Sequence, residues 1–403
     1  MRQFLLAQLA SATSIMGGSM MFLTLPWLTL SLTNSATLTG LAIAIQSIPG
    51  LVLSPIMGSF VDRLGRRRVA IWAEGITVVT TIAYPIFDGS FGMTLPALIT
   101  IGVVRAFFGG GGMTARKSLL PDVARVANLS LDKANSIHES LAAAAFATGP
   151  AIASLVIALT NPMNAFWVCA GFLALSALFA ALIKVDEFIE PDAEREGQHF
   201  LVYAMQGFKI LKTLPAVAII FVMVIFLALL YMPTEFVVLP RYYSLIGDPT
   251  TLGLLLSVMA FSTSAGSLLF SQFTKRLSYG NILRVTVLGV GLALIPMSFL
   301  PPTWVMLACG VVLGFVWGPL PPLLNTVIQQ QVPASMRGRV FSVEMTIWNA
   351  APMISMVFTG MAVDAFGVQL VYWAIAALVM VAAVLVSLAP ALKDLSAAKS
   401  ESV

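Results

Sequence analysis

The sequence predicts an all-α membrane protein, and three observations carry that reading. Only 10% of the 403 residues are charged and 59% are hydrophobic, with a mean hydropathy of +0.94. A water-soluble chain carries about 25% charged residues, so this one has too little polar surface to face water on all sides. Apolar runs of about 20 residues recur along the whole length, which is what a hydrocarbon core about 30 Å thick demands of a crossing helix. The charges gather in the short polar stretches between those runs. The surplus of Lys and Arg, 22 against 18 Asp and Glu, is therefore a membrane-edge feature and not a nucleic-acid footprint. Cys169 and Cys309 lie far apart in apolar runs, which fits packing residues and neither a disulfide nor a metal pair. With 2 His and no nucleophile–base arrangement, an enzyme is not expected, and no cofactor or metal is implied.

The elements follow in order. The first apolar run, 4–33, extends well past the 7–15 residues or so of a signal-peptide core, so it is expected to stay as a helix. Helix 2 is expected over 39–61, with Pro49 and Pro55 tolerated because neighbouring helices satisfy the freed carbonyls. Helices at 69–87 and 94–116 come next, then a polar loop over 121–133, then helices at 134–159 and 164–183. A polar linker, 184–215, begins with an acidic run from Asp186 to Glu196. It then places Met205, Phe208 and Leu211 at helical spacing beside Lys209 and Lys212, the pattern of a short helix lying on the membrane surface. Six more spans are expected, at 216–240, 251–273, 282–300, 304–330, 339–363 and 368–389, before a polar tail over 391–403.

About twelve spanning helices result, divided into an N-terminal bundle (1–183) and a C-terminal bundle (216–390). The halves also match each other. A shift of about 213 positions sets Gly40-Leu41 on Gly253-Leu254, Ser54 on Ser267 and Arg63-Leu64 on Arg276-Leu277. Of the 22 Lys and Arg, Arg241 alone falls in a loop that this scheme puts outside, and Arg105 alone falls deep in a helix. That bias places both termini in the cytoplasm of a multi-pass protein of the inner membrane.

The densest polar stretch is Gly58-Ser-Phe-Val-Asp62-Arg63-Leu-Gly65-Arg66-Arg67-Arg68, between helices 2 and 3. Positive-inside bias explains the arginines but not the aspartate or the spaced glycines. The order Gly-x-x-x-Asp-Arg-x-Gly-Arg-Arg resembles the signature loop of major facilitator superfamily transporters. Leu25-Pro26-Trp27-Leu28, Leu119-Leu120-Pro121-Asp122 and Val332-Pro333-Ala-Ser-Met-Arg337-Gly338-Arg339 are similar to loops of its drug and siderophore exporters, which include macrolide-efflux and enterobactin exporters. The resemblance implies two pseudo-symmetric six-helix bundles and a central cavity open alternately to each side. It also implies proton-coupled efflux of an amphipathic or lipophilic small molecule by a monomer, with protons and the bilayer as its other partners. In the resemblance, Gly58, Asp62, Arg63, Gly65, Arg66 and Arg67 form a conformational latch, with Asp62 meeting the positive end of helix 11. Uptake of a metabolite by proton symport remains an alternative, and a non-transporting scaffold or sensor a remoter one.

Three charged residues are candidates for proton or substrate coupling. Arg105 lies mid-helix, where a charge costs a few kcal/mol and is a functional candidate by default. Its spacing to Gly109 resembles the family's Arg-x-x-x-x-Gly pattern, with Phe108 where a Gln is usual, and Gly102, Gly109 and Gly112 share its face, as close helix packing requires. Glu139 precedes Gly149-Pro150 on one stripe and could hold a proton or pair with a loop Arg. Glu235, in Tyr231-Met-Pro233-Thr-Glu235, could serve a proton or a cationic substrate, or pair with Arg241. Cavity-lining helices 1, 4, 7 and 10 add Met20, Trp27, Tyr231, Trp317 and Asn325 as substrate contacts, since Met and aromatic surfaces repack around varied shapes. Gly149-Pro150 and Gly318-Pro319 are expected to bend their helices.

Overall fold

A computed structural model describes the backbone of residues 1–185, 214–332, 334–390 and 392; side chains at 51–64, 334–339 and some other helical positions fall outside the described set. The surface helix expected over 200–213, the acidic run and the tail beyond 392 also lie outside the described residues. Among the described residues ten helical stretches are long and apolar enough to cross a membrane. Two shorter apolar stretches, Ala36–Gly50 and Leu95–Gly109, lie inside longer helices, so all the expected spans are occupied by helix.

The chain forms two compact units. Unit 1 comprises Met1–Arg195 and Pro240–Ser257, and unit 2 comprises Glu196–Leu239 and Val258–Val403. In unit 1, α1 (Arg2–Thr33) packs along α5 (Leu131–Leu159) and α6 (Pro162–Leu182), while α3 (Arg66–Phe91) lies between α4 (Leu95–Val126) and α6. The helix α2 (Ala36–Leu64) packs on α4. Thr94, Ser130 and Asn161 cap α4, α5 and α6 by accepting from the backbone N–H three residues on. A single residue, Gly65, joins α2 to α3, with φ +89°, a conformation that a side chain would strain. The polar loop expected at 121–133 is shorter than its composition suggests. Helix α4 runs through Pro121 to Val126, and only 127–130 separate it from α5.

The segment Pro240–Ser257 joins unit 1 through contacts that sequence halves do not reveal. The Ser257 hydroxyl accepts from Ala151 N at 3.1 Å, a Cβ on Gly253 would strike Ser154, and Arg241 donates to the Asn34 amide at 2.5 Å. Unit 2 begins with α7 (Pro215–Phe226), which continues through two π-turns, Leu227–Tyr231 and Thr234–Val238, into α8 (Leu239–Ile246). The helix α9 (Pro249–Leu268) follows and belongs to unit 2 from Val258. After it come α10 (Phe270–Arg276), α11 (Tyr279–Ser298), α12 (Thr303–Trp317), α13 (Leu320–Gln331), α14 (Ala334–Phe366) and α15 (Val368–Leu388). The core of unit 2 is α11 on α12 and α15, with α14 against the π-turns.

Candidate functional site

In unit 1 the antiparallel pair α3–α4 carries a ladder of polar contacts about two turns apart. Arg66 Nη1 donates to Asp122 Oδ2 at 2.9 Å, with Arg125 also 3.6 Å from that carboxylate. Two turns further in, Arg116 is ion-paired with Glu74, both buried. Two turns further along α3, Thr81 Oγ1 accepts from Arg105 Nε at 3.2 Å. Ser14 of α1 completes the middle rung. It donates to Glu74 Oε1 at 2.6 Å and accepts from Arg116 Nη2 at 2.7 Å. Gly112 makes room for this rung, since a Cβ there would lie 3.3 Å from both Ala73 Cβ and Arg116 Nη1.

Glu74 and Arg116 escaped the sequence reading. The apolar run ends helix 4 at Arg116, whereas α4 continues ten residues further, to Val126. Glu74 sits eight residues inside α3, deep enough for the same rule that singled out Arg105 to have found it. Of the latch residues, Gly65 and Arg66 have the roles just given, and Arg67 donates to the Ala181 carbonyl at 2.6 Å. Gly58, Asp62 and Arg63 lie in α2 with side chains outside the described set.

The other unit 1 candidates separate. Met20 is fully buried. Trp27 is also buried. Glu139 is exposed; its neighbour His138 is the buried residue, with Nδ1 3.0 Å from Gln8 Oε1. Helix α5 passes Gly149–Pro150 uninterrupted. What Gly149 supplies is close approach, because a Cβ would collide with Ser19 and lie 2.9 Å from Met16 O and Met20 N. On the Arg105 face, Gly102 lies against Gln46 and Gly112 against Ala73, while Gly109 meets open space.

Unit 2 gathers Tyr231, Glu235 and Trp317, which the sequence named separately. The Tyr231 hydroxyl donates to Glu235 Oε1, one turn on. The Tyr231 ring lies 4.7 Å from that of Trp317, which in turn meets Trp348 edge-on at 6.1 Å. Trp348 donates to the Glu344 carboxylate, one turn before it on α14. The result is three aromatic rings from three helical segments, with a carboxylate at each end of the row. Pro233 lies between the two π-turns, whose wider winding displaces Tyr231 and Glu235 from a regular α-helical path; such turns concentrate at functional sites. Trp348 and Glu344 were not anticipated, although their i, i+4 spacing mirrors Tyr231 and Glu235. Arg241 bonds Asn34 instead of Glu235, and Asn325 is exposed on α13. At Gly318–Pro319 the helix is interrupted between α12 and α13, and a Cβ on Gly318 would lie 2.6 Å from Ser267 N.

Polar and charged side chains held inside apolar spans mark a polytopic membrane protein with buried chemistry. The Major Facilitator Superfamily family model matches residues 8–343 and again 236–401, and the chain belongs to that family. It is 29% identical over 397 residues, 98% of this chain and 97% of the relative, to the multidrug efflux pump Tap of Mycolicibacterium fortuitum. It is 22% identical to the macrolide efflux protein A of Streptococcus pyogenes, covering 84% of this chain and 83% of that one. Its fold is that of the nucleoside transporter NupG, with a TM-score of 0.77 at 13% identity over 96% of this chain and 98% of the other. The protein is thus a multi-pass, all-α transporter of the major facilitator fold and not an enzyme.

Proposed function

We propose that this protein exports lipophilic small molecules, cationic ones in particular, in exchange for protons, by alternating access. The observation that carries the substrate class is the Tyr231–Trp317–Trp348 row with Glu235 and Glu344 at its ends. Aromatic faces attract a desolvated cation by about 2 kcal/mol, and they accept lipophilic shapes of many kinds. Glu235, held in place by the Tyr231 hydroxyl, is the acidic group offered to a substrate cation at one end. The printed names of the relatives, a multidrug efflux pump and a macrolide efflux protein, support export. A proton gradient is the energy source proposed, since one charge crossing 100 mV is worth ~2.3 kcal/mol. The α2–α3 connection acts as a latch in this cycle, with Gly65 setting its turn and Arg66 fastened to Asp122. The protein works as a monomer in the cytoplasmic membrane, both termini inside, in keeping with its distribution of Lys and Arg.

The test uses purified protein in liposomes with a trapped pH dye. Addition of tetraphenylphosphonium, then of a neutral macrolide, should move protons opposite to the compound, more strongly for the cation. Proton movement in the same direction as the compound would establish uptake and overturn the export reading.

A further inference from the structure

The buried rung in unit 1 is lopsided. Both donors that reach Glu74, the Ser14 hydroxyl and Arg116 Nη1, converge on Oε1. The other oxygen, Oε2, is buried and has no hydrogen-bond partner among the described residues. An arginine that only fastens a carboxylate characteristically grips both oxygens in a fork, because two parallel charge-assisted bonds are stronger than one. Here Arg116 turns its second nitrogen to Ser14 instead. A bare oxygen on a charged carboxylate in apolar surroundings is costly. It is also the one position where a proton can add without displacing either existing bond.

The neighbourhood limits what else could take that proton. Among the described residues, the charged and titratable groups facing Glu74 are Arg116 from α4 and the Cys169 thiol from α6, with the neutral Ser14 hydroxyl from α1. The guanidinium stays protonated throughout, and Cys169 is engaged in donating to the Gly17 carbonyl at 2.9 Å. Gly112 and Ala73 leave no side chain between the pair. With the proton off, the rung is a neutral ion pair tying α3 to α4. With it on, Glu74 is uncharged, the tie is an ordinary hydrogen bond, and Arg116 is a buried cation resting on Ser14.

We propose that Glu74 binds the driving proton of transport at its free Oε2, with Arg116 and Ser14 as its positioning residues. The step is a protonation of the carboxylate to the acid and its reversal, and it loosens and restores the α3–α4 tie. This rests on the proton-driven export proposed above. It adds a division of labour, in which the substrate's charge is met in unit 2 and the proton's in unit 1.

The test compares wild type with the double variant Glu74→Gln/Arg116→Gln, which removes both charges and leaves no lone buried ion. Proteoliposomes are loaded with tetraphenylphosphonium, and probe flux and proton flux are recorded together. The expected result is that the double variant lets the probe run down its own gradient with proton movement reduced about tenfold or more per probe, and with a flat pH profile. Glu74→Asp, which keeps the acid, should restore proton movement. If the double variant moves protons with the probe as wild type does, Glu74 is not the proton site, while the export reading stands. If wild type itself moves the probe with no protons, the proton-driven reading falls and this assignment with it. If Glu74→Asp fails to restore proton movement in a folded protein, the rung is a structural tie and the proposal is overturned.

Discussion

Glu74 in unit 1 and Glu235 in unit 2 are carboxylates in membrane-spanning helices, and each accepts a hydrogen bond from a hydroxyl. Their other surroundings differ. Glu74 faces a buried guanidinium, so its charge is cancelled within the protein. Glu235 accepts from the Tyr231 phenol, whose ring lies against Trp317, and among the described residues no cation is paired with it. Burying an ion pair is roughly neutral for stability, but breaking one is not, because the survivor is an uncompensated charge. A carboxylate held only by neutral donors has no such partner to strand. The comparison separates a residue whose loss should damage the fold from one whose loss should damage recognition.

Removing one half of the ion pair should therefore have the largest effect. Arg116→Ala is expected to cost about 3–5 kcal/mol of stability, read as a lowered thermal midpoint in detergent, and adding Glu74→Gln to it should recover much of the loss. A midpoint unchanged in the single variant would break the contrast between the two units. Glu235→Gln should leave the midpoint near wild type but weaken binding of tetraphenylphosphonium by about 1.5–3 kcal/mol, with little effect on a neutral macrolide. Equal losses for both compounds would show that the carboxylate shapes the site without meeting charge. Gly149→Ala forces a methyl into Ser19 and the α1 backbone and should cost about 1–3 kcal/mol of stability. Trp317→Ala removes the middle ring of the row and should weaken cation binding by about 0.5–2 kcal/mol, measured by the same titration.

Much of the fold was legible because spanning helices announce themselves by length and apolarity, and the expected spans all fall on helices. The ends were less legible. The residues Pro121-Asp122 read as loop, yet α4 continues past them because Asp122 is neutralised by Arg66 and Arg125 and so can sit in a buried helical turn. That single misplaced end hid Arg116. Tyr231, Glu235 and Trp317 were visible as polar or aromatic interruptions of apolar runs. Nothing in the linear order showed that they stack, since π-turns shift helical phase in a way periodicity does not follow.

The ladder along α3 and α4 has a consequence for how the chain assembles. Its outer rung places the cation on α3 and the anion on α4; its middle rung reverses them. Two rungs lie about 12 Å apart along α3, so a hairpin slipped by two turns is the nearest competing pairing with the same faces in contact. Slipped one way, Arg66 would stand opposite Arg116; slipped the other, Glu74 would stand opposite Asp122. Either error sets like charges together in a medium that screens them poorly. The alternating signs thus act as a key cut into two apolar rods, so that helices threaded one after another into a bilayer meet in a single register.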